Sequence, residues 1–501
     1  MLRDASSAWE RQNYQQSFDI LERASRLSPR DPCILLELGN AHGRRYDFTT
    51  AEKFFEKAIR VSGWKAGAFL AAGLHCLNFR NDEMAEHYLI RSIERDHAPG
   101  AALIKLTRIY ERQRRPEKAA ELVARVLHSN AANAAALFVQ ARLERLAGHW
   151  EDAEKKLRFF LSKPGVDVES RARGWYELGG ILDVQKRYDE AMAAFLEAKK
   201  QWHPFAGNEI ARLQRVQTKI LETERMISAD ILHRWFDFGA QLPPPRRFAL
   251  LCGHPRSGTT LLEQVLDSHG DIISMEESFV FDEEASRPLH RNFSDQTPVL
   301  SVLESASVDR LRQSRANYFH FAEKILGEAV GDRLLIDKNP ALNSAIPAVV
   351  RIFPEAKFLV VIRDPRDVCL SCFMQPLDIN TVSSAFLSLA GAVTQYVSAV
   401  GFWRTMQPRL KNPAIEIRYE ELVNDLESVS RRVLNFLGMG WDERVLRFNE
   451  HAQKKIVRSP ASMDVTRPIF KTAVGRWRNY QKYLEPYQEK LEPFSKAFGY
   501  E

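Results

Sequence analysis

The sequence has few cysteines and no long run of apolar residues. Its 501 residues contain five scattered cysteines, which argues against a disulfide framework and favours a reducing compartment. No run approaches the roughly 18 apolar residues that a membrane-spanning helix needs. The amino terminus, MLRDASSAWERQ, is charged and has no apolar core, so no signal peptide is expected. These absences predict a cytoplasmic protein without a membrane span.

Charge of one sign is not in large excess either. The formal net charge of +6 fits an enzyme that acts on anionic ligands, but it does not predict nucleic-acid binding. Cys369 and Cys372 form a C-x-x-C pair, yet no second ligand pair accompanies them and residues 368–373 have the pattern of a helix interior. Neither a metal site nor a redox site is therefore expected. The hydrophobic content of 45% is that of a globular protein, and the length predicts two or three domains.

The first two hundred residues repeat with a fixed period. Ala51, Ala85, Ala119 and Ala153 are spaced 34 residues apart, and large residues recur at matching places after each of them. A unit of this length, with small residues where two helices approach and large residues beside them, resembles the tetratricopeptide repeat. The resemblance implies an all-α solenoid of about six repeats over residues 1–204, with a concave face suited to peptides. An array that only orients or dimerises the rest of the chain is the alternative.

Two irregularities accompany the repeats. The sixth unit is the best match and is offset by an insertion at residues 163–166, while the first unit would begin before residue 1.

Residues 205–245 are predicted to connect the solenoid to a second domain. In this connector, Ala206–Phe238 has a helical pattern and three consecutive prolines at 243–245 stiffen the joint. The second domain is placed at residues 246–501.

Phe248–His269 is the stretch around which the second domain is organised. The apolar run Phe248–Cys252 predicts a buried parallel strand, and an amphipathic pattern from about Gly258 predicts a helix. The loop His254–Thr260 lies between them. Backbone N–H groups and the helix dipole at such a loop both favour phosphate. A phosphate site is therefore predicted here.

This loop nearly matches the nucleotide-binding pattern G-x-x-x-x-G-K-[ST]. Gly253 and Gly258 have the required spacing, but Thr259 stands where the phosphate-binding lysine belongs. The only cation in the loop is Arg256. The pattern therefore does not predict ordinary ATP hydrolysis.

Two further predicted strands end in charged residues. Glu276 and Glu277 follow the short strand Asp271–Met275, and Lys338 follows a strand that begins at Arg333. Carboxylates beyond the carboxyl ends of parallel strands are candidates for a general base, although solvated acids fit the sequence equally well. On sequence pattern alone, Lys338 is interpreted as a surface lysine.

A fourth strand of five apolar residues, Phe358–Ile362, ends at Arg363 and is followed by a helix pattern that contains Ser371. A guanidinium and a hydroxyl in this arrangement can hold one anion. Two anion sites at neighbouring strand ends indicate one ligand that carries two separate phosphates.

The motifs PRSGTT at 255–260 and RDPRD at 363–367, with Ser371, resemble the two cofactor signatures of sulfotransferases. These enzymes use 3′-phosphoadenosine 5′-phosphosulfate (PAPS). Arg256 in place of the commoner lysine, and Leu261 where many small-molecule enzymes have tryptophan, resemble the protein-tyrosine sulfotransferase branch. The resemblance spans about residues 246–480 and implies an α/β domain with a parallel sheet and a P-loop-like loop.

The resemblance also implies roles for individual residues. It implies Glu276 as the catalytic base, and Arg256 and Lys338 as cations that stabilise the transition state, with no metal. The residues implied to bind the cofactor are Arg256, Ser257, Gly258, Thr259 and Thr260 at the 5′-phosphosulfate, Arg363 and Ser371 at the 3′-phosphate, Tyr419, and Ser462, Arg467 and Arg476 in or near a closing loop.

Two positions depart from the family's pattern. The loop serine of the family falls on Ala461, with Ser462 one place away, and a second phosphate-binding arginine is replaced by Gln375. The sequence predicts a PAPS-dependent sulfotransferase that acts on a hydroxyl acceptor. The acceptor stays open among protein tyrosine, carbohydrate, lipid and small molecule, as does an oligomeric state. The alternatives are a kinase-like nucleotide-binding enzyme and a tetratricopeptide adaptor with a degenerate enzyme domain.

Overall fold

The computed structural model describes residues 1–10, 13–96, 100–291, 293–294, 296–376, 379–454 and 465–500. The chain forms two compact units, Met1–Gln185 and Lys186–Glu501. The domain limits predicted at residues 204 and 246 stay predictions. Within the described ranges, no helix has the length and apolar character needed to cross a membrane.

The first unit is all-helical where it is described. Its helices are α1 (Leu2–Glu10), α2 (Tyr14–Leu27), α3 (Pro32–Arg44), α4 (Phe48–Val61), α5 (Ala66–Asn78), α6 (Asp82–Arg95), α7 (Gly100–Arg112), α8 (Pro116–Ser129), α9 (Ala134–Leu146), α10 (Trp150–Ser162) and α11 (Val168–Val184). Short polar side chains fix several helix starts, because their oxygens accept hydrogen bonds from backbone N–H groups that have no partner inside the helix. Such caps occur at Asn13, Asp31, Asp47, Asn81, Asn133 and Asp167.

The predicted repeat positions form the interior of this unit. Gly39 on α3 shows why a small residue is needed, since an added Cβ would lie 2.5 Å from the Phe55 ring on α4. The large residues four positions after each small one are all buried: Leu21, Phe55, Leu89, Val123 and Leu157. The residues three positions further on are buried as well: Ala24, Ala58, Ser92, Val126 and Phe160. The helix-pair architecture predicted from the 34-residue period is confirmed.

The second unit is built on a parallel sheet. Its strands are β1 (Phe248–Gly253), β2 (Ile272–Glu276), β3 (Leu334–Lys338), β4 (Lys357–Ile362) and β5 (Ala414–Arg418). All pairings are parallel, and the order is β2-β3-β1-β4-β5. The inner strands β1, β3 and β4 are almost wholly buried, as expected for a sheet covered on both faces, and β3 is apolar up to Asp337 and Lys338 at its end.

The second unit also contains helices. They are α12 (Tyr188–Trp202), α13 (Gly207–Met226), α14 (Ala229–Phe238), α15 (Thr259–Asp267), α16 (Val299–Glu304), α17 (Val308–Leu326), α18 (Ile346–Ile352), α19 (Pro365–Phe373), α20 (Leu389–Met406), α21 (Tyr419–Asn424), α22 (Leu426–Leu437), α23 (Phe448–Lys454), α24 (Gln481–Leu484) and α25 (Gln488–Ala497). The single helical pattern of residues 206–238 is divided in the structure, because Ile227 is extended and the Ser228 hydroxyl caps a new helix.

Strand register brings the predicted residues to one edge of the sheet. Glu276, the last residue of β2, is paired with Lys338, the last residue of β3. On the other side of β1, Ile362 of β4 is paired with Arg418 of β5. In a parallel sheet all carboxyl ends share one edge, and the crevice outside that edge is where α/β proteins bind ligands.

Candidate functional site

The loop between β1 and α15 is shaped by close backbone packing. Gly258 has φ +105° and is the residue from which α15 starts. An added Cβ there would lie 2.4 Å from Cδ2 of Tyr419, so only glycine fits. Arg256 also has a left-handed φ of +71°. The loop therefore brings its N–H groups to the positive end of a helix dipole, an arrangement that favours an anion.

A fully buried lysine lies beside this loop. Nζ of Lys338 is 2.8 Å from Glu277 Oε1, 3.5 Å from Glu276 Oε1 and 3.3 Å from Glu263 Oε2. It also donates a hydrogen bond of 3.4 Å to Oγ1 of Thr260. The expectation of a surface lysine is wrong, because the side chain of Lys338 is 0% exposed.

Electrostatics keep Lys338 charged. Burial lowers the pKa of its ammonium, but the neighbouring carboxylates of Glu263, Glu277 and Glu276 outweigh that effect, so the pKa lies above its ordinary value. The side chain of Glu277 reaches the ammonium because the backbone turns at Glu277, where φ is +43°. The backbone N–H of Glu277 donates a hydrogen bond of 2.7 Å to the Lys338 carbonyl. The ordinary interpretation of both glutamates as solvated acids does not hold for Glu276, whose side chain is only 12% exposed.

Sequence reasoning missed Glu263. This residue lies on α15 with 0% exposure, and its Oε1 accepts a hydrogen bond of 3.0 Å from the Ser274 hydroxyl on β2. It therefore fixes the ammonium of Lys338 from the interior side, while Glu276 and Glu277 contact it from the more open side. A signal was present in the sequence, because Glu263 interrupts the apolar face of α15 next to Leu262 and Leu266.

The second anion motif meets the first at Arg256. Its Nε donates to Oγ of Ser371 on α19 over 3.2 Å, and its carbonyl accepts from Nη1 of Arg363 over 3.0 Å. Arg363 follows β4, and its guanidinium lies 4.7 Å from the centre of the Tyr419 ring. Four residues predicted to bind one ligand are thus connected, although they are distant in sequence.

Asp367 on α19 holds a late segment of the chain in place. Its carboxylate accepts hydrogen bonds from the backbone N–H groups of Gly475, over 2.7 Å, and Trp477, over 2.8 Å. Burial raises the pKa of Asp367, although these N–H groups and Arg363 oppose the rise. The half-buried Arg476 lies between the two bonded residues, so the structure places it near the Arg363 motif.

The remaining predicted residues differ in how deeply they are buried. Ser257 and Thr259 are buried in the loop, with exposures of 1% and 3%. Arg467 is exposed, and Gln375 is half-buried two residues after the end of α19. Ser462 lies outside the described residues. The C-x-x-C cysteines are interior residues of α19, and burial raises the pKa of Cys372 to about 12.

A buried acid lies on the strand next to Lys338. Asp337 on β3 accepts a hydrogen bond of 2.8 Å from the Tyr318 hydroxyl of α17. Burial raises the pKa of Asp337 to about 7, and the Tyr318 hydrogen bond and the charge of Lys338 only partly oppose this. The carboxyl group therefore keeps its proton to a higher pH than an exposed aspartate does.

These features define an α/β protein with a helix-start loop, a buried lysine–carboxylate cluster and a second arginine motif at one sheet edge. Cations and N–H groups at that edge are suited to an anionic ligand, and the carboxylate of Glu276 lies beside them.

Comparison with known proteins agrees with this class. Residues 249–443 match the sulfotransferase family, and residues 104–159 and 138–204 match the tetratricopeptide repeat. Both matches agree with the resemblances that the sequence motifs predicted.

Three individual proteins illustrate the similarity. An uncharacterised protein of Aquifex aeolicus is 26% identical over 88% of this chain and 57% of its own length. Protein-tyrosine sulfotransferase 1 of Danio rerio is 26% identical over 45% of this chain and 64% of its own length. The chain thus spans less than two thirds of these relatives. Among solved structures, the sulfotransferase domain of the Synechococcus PCC 7002 olefin synthase has a TM-score of 0.38 and 21% identity, covering 52% of this chain and 96% of that domain.

Proposed function

We propose that residues 246–501 transfer a sulfuryl group from PAPS to a hydroxyl acceptor. The sulfotransferase-family match supports the reaction class, and the protein-tyrosine sulfotransferases among the relatives support a tyrosine acceptor. The observation that carries the proposal is the contact of Lys338 with both Glu276 and the loop residue Thr260 at one sheet edge. A base and a cation then flank the position at which the loop would hold the sulfuryl group.

The proposed chemistry follows from these positions. Glu276 accepts the proton of the acceptor hydroxyl as the acceptor oxygen bonds to sulfur. The bond from sulfur to the bridging phosphate oxygen breaks, and its electron pair stays on that oxygen. Lys338 and Arg256 stabilise the negative charge that develops there, much as cations do in phosphoryl transfer.

The second phosphate of the donor is assigned to Arg363 and Ser371. Arg256 contacts both residues, through its Nε to Ser371 and through its carbonyl to Arg363. A ligand held at both motifs is therefore oriented by one connected set of side chains, which favours an in-line attack. We assign the peptide that carries the tyrosine to the tetratricopeptide unit, since such repeats present concave peptide-binding surfaces.

The decisive assay incubates the full chain with sulfur-labelled PAPS and a panel of tyrosine peptides, phenols, sugars and lipids. Label on a tyrosine peptide is the expected result, and label on a sugar or lipid alone would overturn the acceptor assignment. Absence of any transfer, together with no binding of adenosine 3′,5′-bisphosphate, would refute the reaction. Binding of ATP more tightly than of this bisphosphate would favour the kinase-like alternative.

Two arginine variants test the donor site directly. Arg256→Ala and Arg363→Ala are each expected to weaken bisphosphate binding or turnover by several kcal/mol, since each removes charge-assisted contacts. Arg431→Ala is the matched control, because this exposed arginine of α22 contacts Glu427 and the ring of Trp441, neither of which is a predicted ligand-binding residue. Equal binding by all three variants would contradict the assignment.

A further inference from the structure

A small internal cavity lies behind the loop that joins β1 to α15. Its volume is about 10 Å³, which is room for roughly one water molecule. Its lining includes the polar side chains of His254, Ser257, Asn343 and Arg363, together with Tyr396, Val400 and Trp403 of α20. We call it the buried polar cavity. The cavity contacts both the loop between β1 and α15 and Arg363, the residue that follows β4.

Each of the four polar side chains has one atom without a hydrogen-bond partner among the described residues. These atoms are Nε2 of His254, Oγ of Ser257, Oδ1 of Asn343 and Nε of Arg363. None of the four residues is more than 7% exposed. Buried polar atoms are almost always paired in native proteins, so four of them around one cavity point to a common partner.

The hydrogen-bonding roles of two of these atoms follow from the contacts of their neighbours. Nδ2 of Asn343 donates to the Gly253 carbonyl over 2.6 Å, which leaves Oδ1 as an acceptor. Nδ1 of His254 is 2.9 Å from the Pro255 carbonyl, and because a carbonyl only accepts, Nδ1 carries the hydrogen and Nε2 accepts. Burial lowers the pKa of His254 to about 4, so the ring is neutral at neutral pH.

The other two atoms are donors. Nε of Arg363 carries a hydrogen and cannot accept, and the Ser257 hydroxyl is able to rotate and donate. With Ser257 donating, these four atoms therefore present two donors and two acceptors. The Arg363 guanidinium disfavours a cation, and an anion would face the lone pairs of Asn343 and His254. A neutral molecule with two hydrogens and two lone pairs satisfies all four atoms.

We propose that the buried polar cavity is a specific site for one structural water molecule. The water accepts hydrogen bonds from Arg363 and Ser257 and donates to Asn343 and His254. It thereby connects the phosphosulfate loop, the segment after β3 and the 3′-phosphate arginine through one four-coordinate centre. Its effect on ligand binding rests on the proposed function, whereas its presence does not.

The direct test is a crystal structure of the full chain at a resolution that shows ordered water. The expected result is one density peak within hydrogen-bond distance, about 2.7–3.2 Å, of the four atoms. A dry cavity, an ion in its place, or direct pairing of the four side chains with each other would overturn the proposal. This outcome does not depend on whether the protein transfers sulfuryl groups.

A pair of variants at Val400 tests the consequence. Val400→Ile adds a methylene group that fills the cavity and displaces the water, while Val400→Ala enlarges the cavity and leaves room for it. Displacing a well-ordered water without replacing its hydrogen bonds weakens binding. We expect Val400→Ile to bind adenosine 3′,5′-bisphosphate about tenfold more weakly than Val400→Ala. Equal affinities, or higher thermal stability of Val400→Ile than of the unchanged protein, would indicate a dry apolar void and contradict the site. If Val400→Ile does not fold, the crystal structure of the unchanged protein decides.

Discussion

Replacing Lys338 with methionine is expected to destabilise the second unit by about 3–5 kcal/mol, the usual cost of leaving a buried charge without its partner. The largest part of this cost comes from Glu263. Both side chains are 0% exposed and 3.3 Å apart, so without the ammonium the Glu263 carboxylate has no access to water. Glu276 and Glu277 are 12% and 37% exposed and regain solvent contact more easily.

A second substitution isolates this interaction. In the double variant Lys338→Met/Glu263→Gln the buried charge is gone, and about 2 kcal/mol of the lost stability should return, within the range measured for contacting pairs. Lys411→Met is the matched control. Lys411 pairs with Asp237 in the same unit, but both side chains are exposed, at 44% and 61%. Its loss should cost no more than about 1 kcal/mol.

The assay is urea unfolding of the full chain. The transition of the second unit is identified as the one that shifts when adenosine 3′,5′-bisphosphate is added. Turnover is measured in parallel and should stay low in both Lys338 variants, because restoring stability does not restore the cation that we propose stabilises the transition state. The description of the cluster is wrong if Lys338→Met lowers the free energy of unfolding as little as Lys411→Met does. It is also wrong if adding Glu263→Gln to Lys338→Met restores no stability.

Three further predictions concern single residues. Glu276→Gln should leave bisphosphate affinity unchanged and lower turnover about a hundredfold or more, and full turnover would exclude Glu276 as the base. Gly258→Ala should lower the free energy of unfolding by about 1–3 kcal/mol, measured in urea, because φ is +105° and the added Cβ would lie 2.4 Å from the Tyr419 ring. The pKa of Asp337 is about 7 in the folded protein and 3.8 in the unfolded chain. The free energy of unfolding should therefore fall as the pH rises from about 3.8 to about 7, and it should level off above that. Asp337→Asn should abolish this part of the pH dependence, and an unchanged slope would contradict the assignment.

Much of the architecture was predictable because its signals are local or periodic. The 34-residue spacing of Ala51, Ala85, Ala119 and Ala153 predicted helix pairs, since small residues are required wherever two helices approach closely. Apolar runs bounded by glycine or charge predicted the inner strands of the sheet. The observed strand ends differ from the predicted ones by only about one residue, as in β1, which was predicted to end at Cys252 and continues to Gly253.

The candidate site was predictable in part. The charges after the strands are visible in sequence, and a parallel sheet places all such residues at one edge. Patterns could not show which of them touch. Ser371 was predicted to share an anion with Arg363, and the structure adds that it accepts a hydrogen bond from Arg256 as well. The proposed roles of these residues stay predictions.

The sequence by itself determined the two kinds of architecture and the residues that carry charge at the strand ends. Only the tertiary structure decided the environment of those charges. Lys338 looks like a surface lysine until Glu263, Glu276 and Glu277 are placed around it, and Arg256 meets Ser371 across a separation of 115 residues. The reason is physical. Helix and strand patterns depend on neighbours within a few positions, whereas burial, ion pairing and pKa depend on groups that the fold brings together from distant parts of the chain.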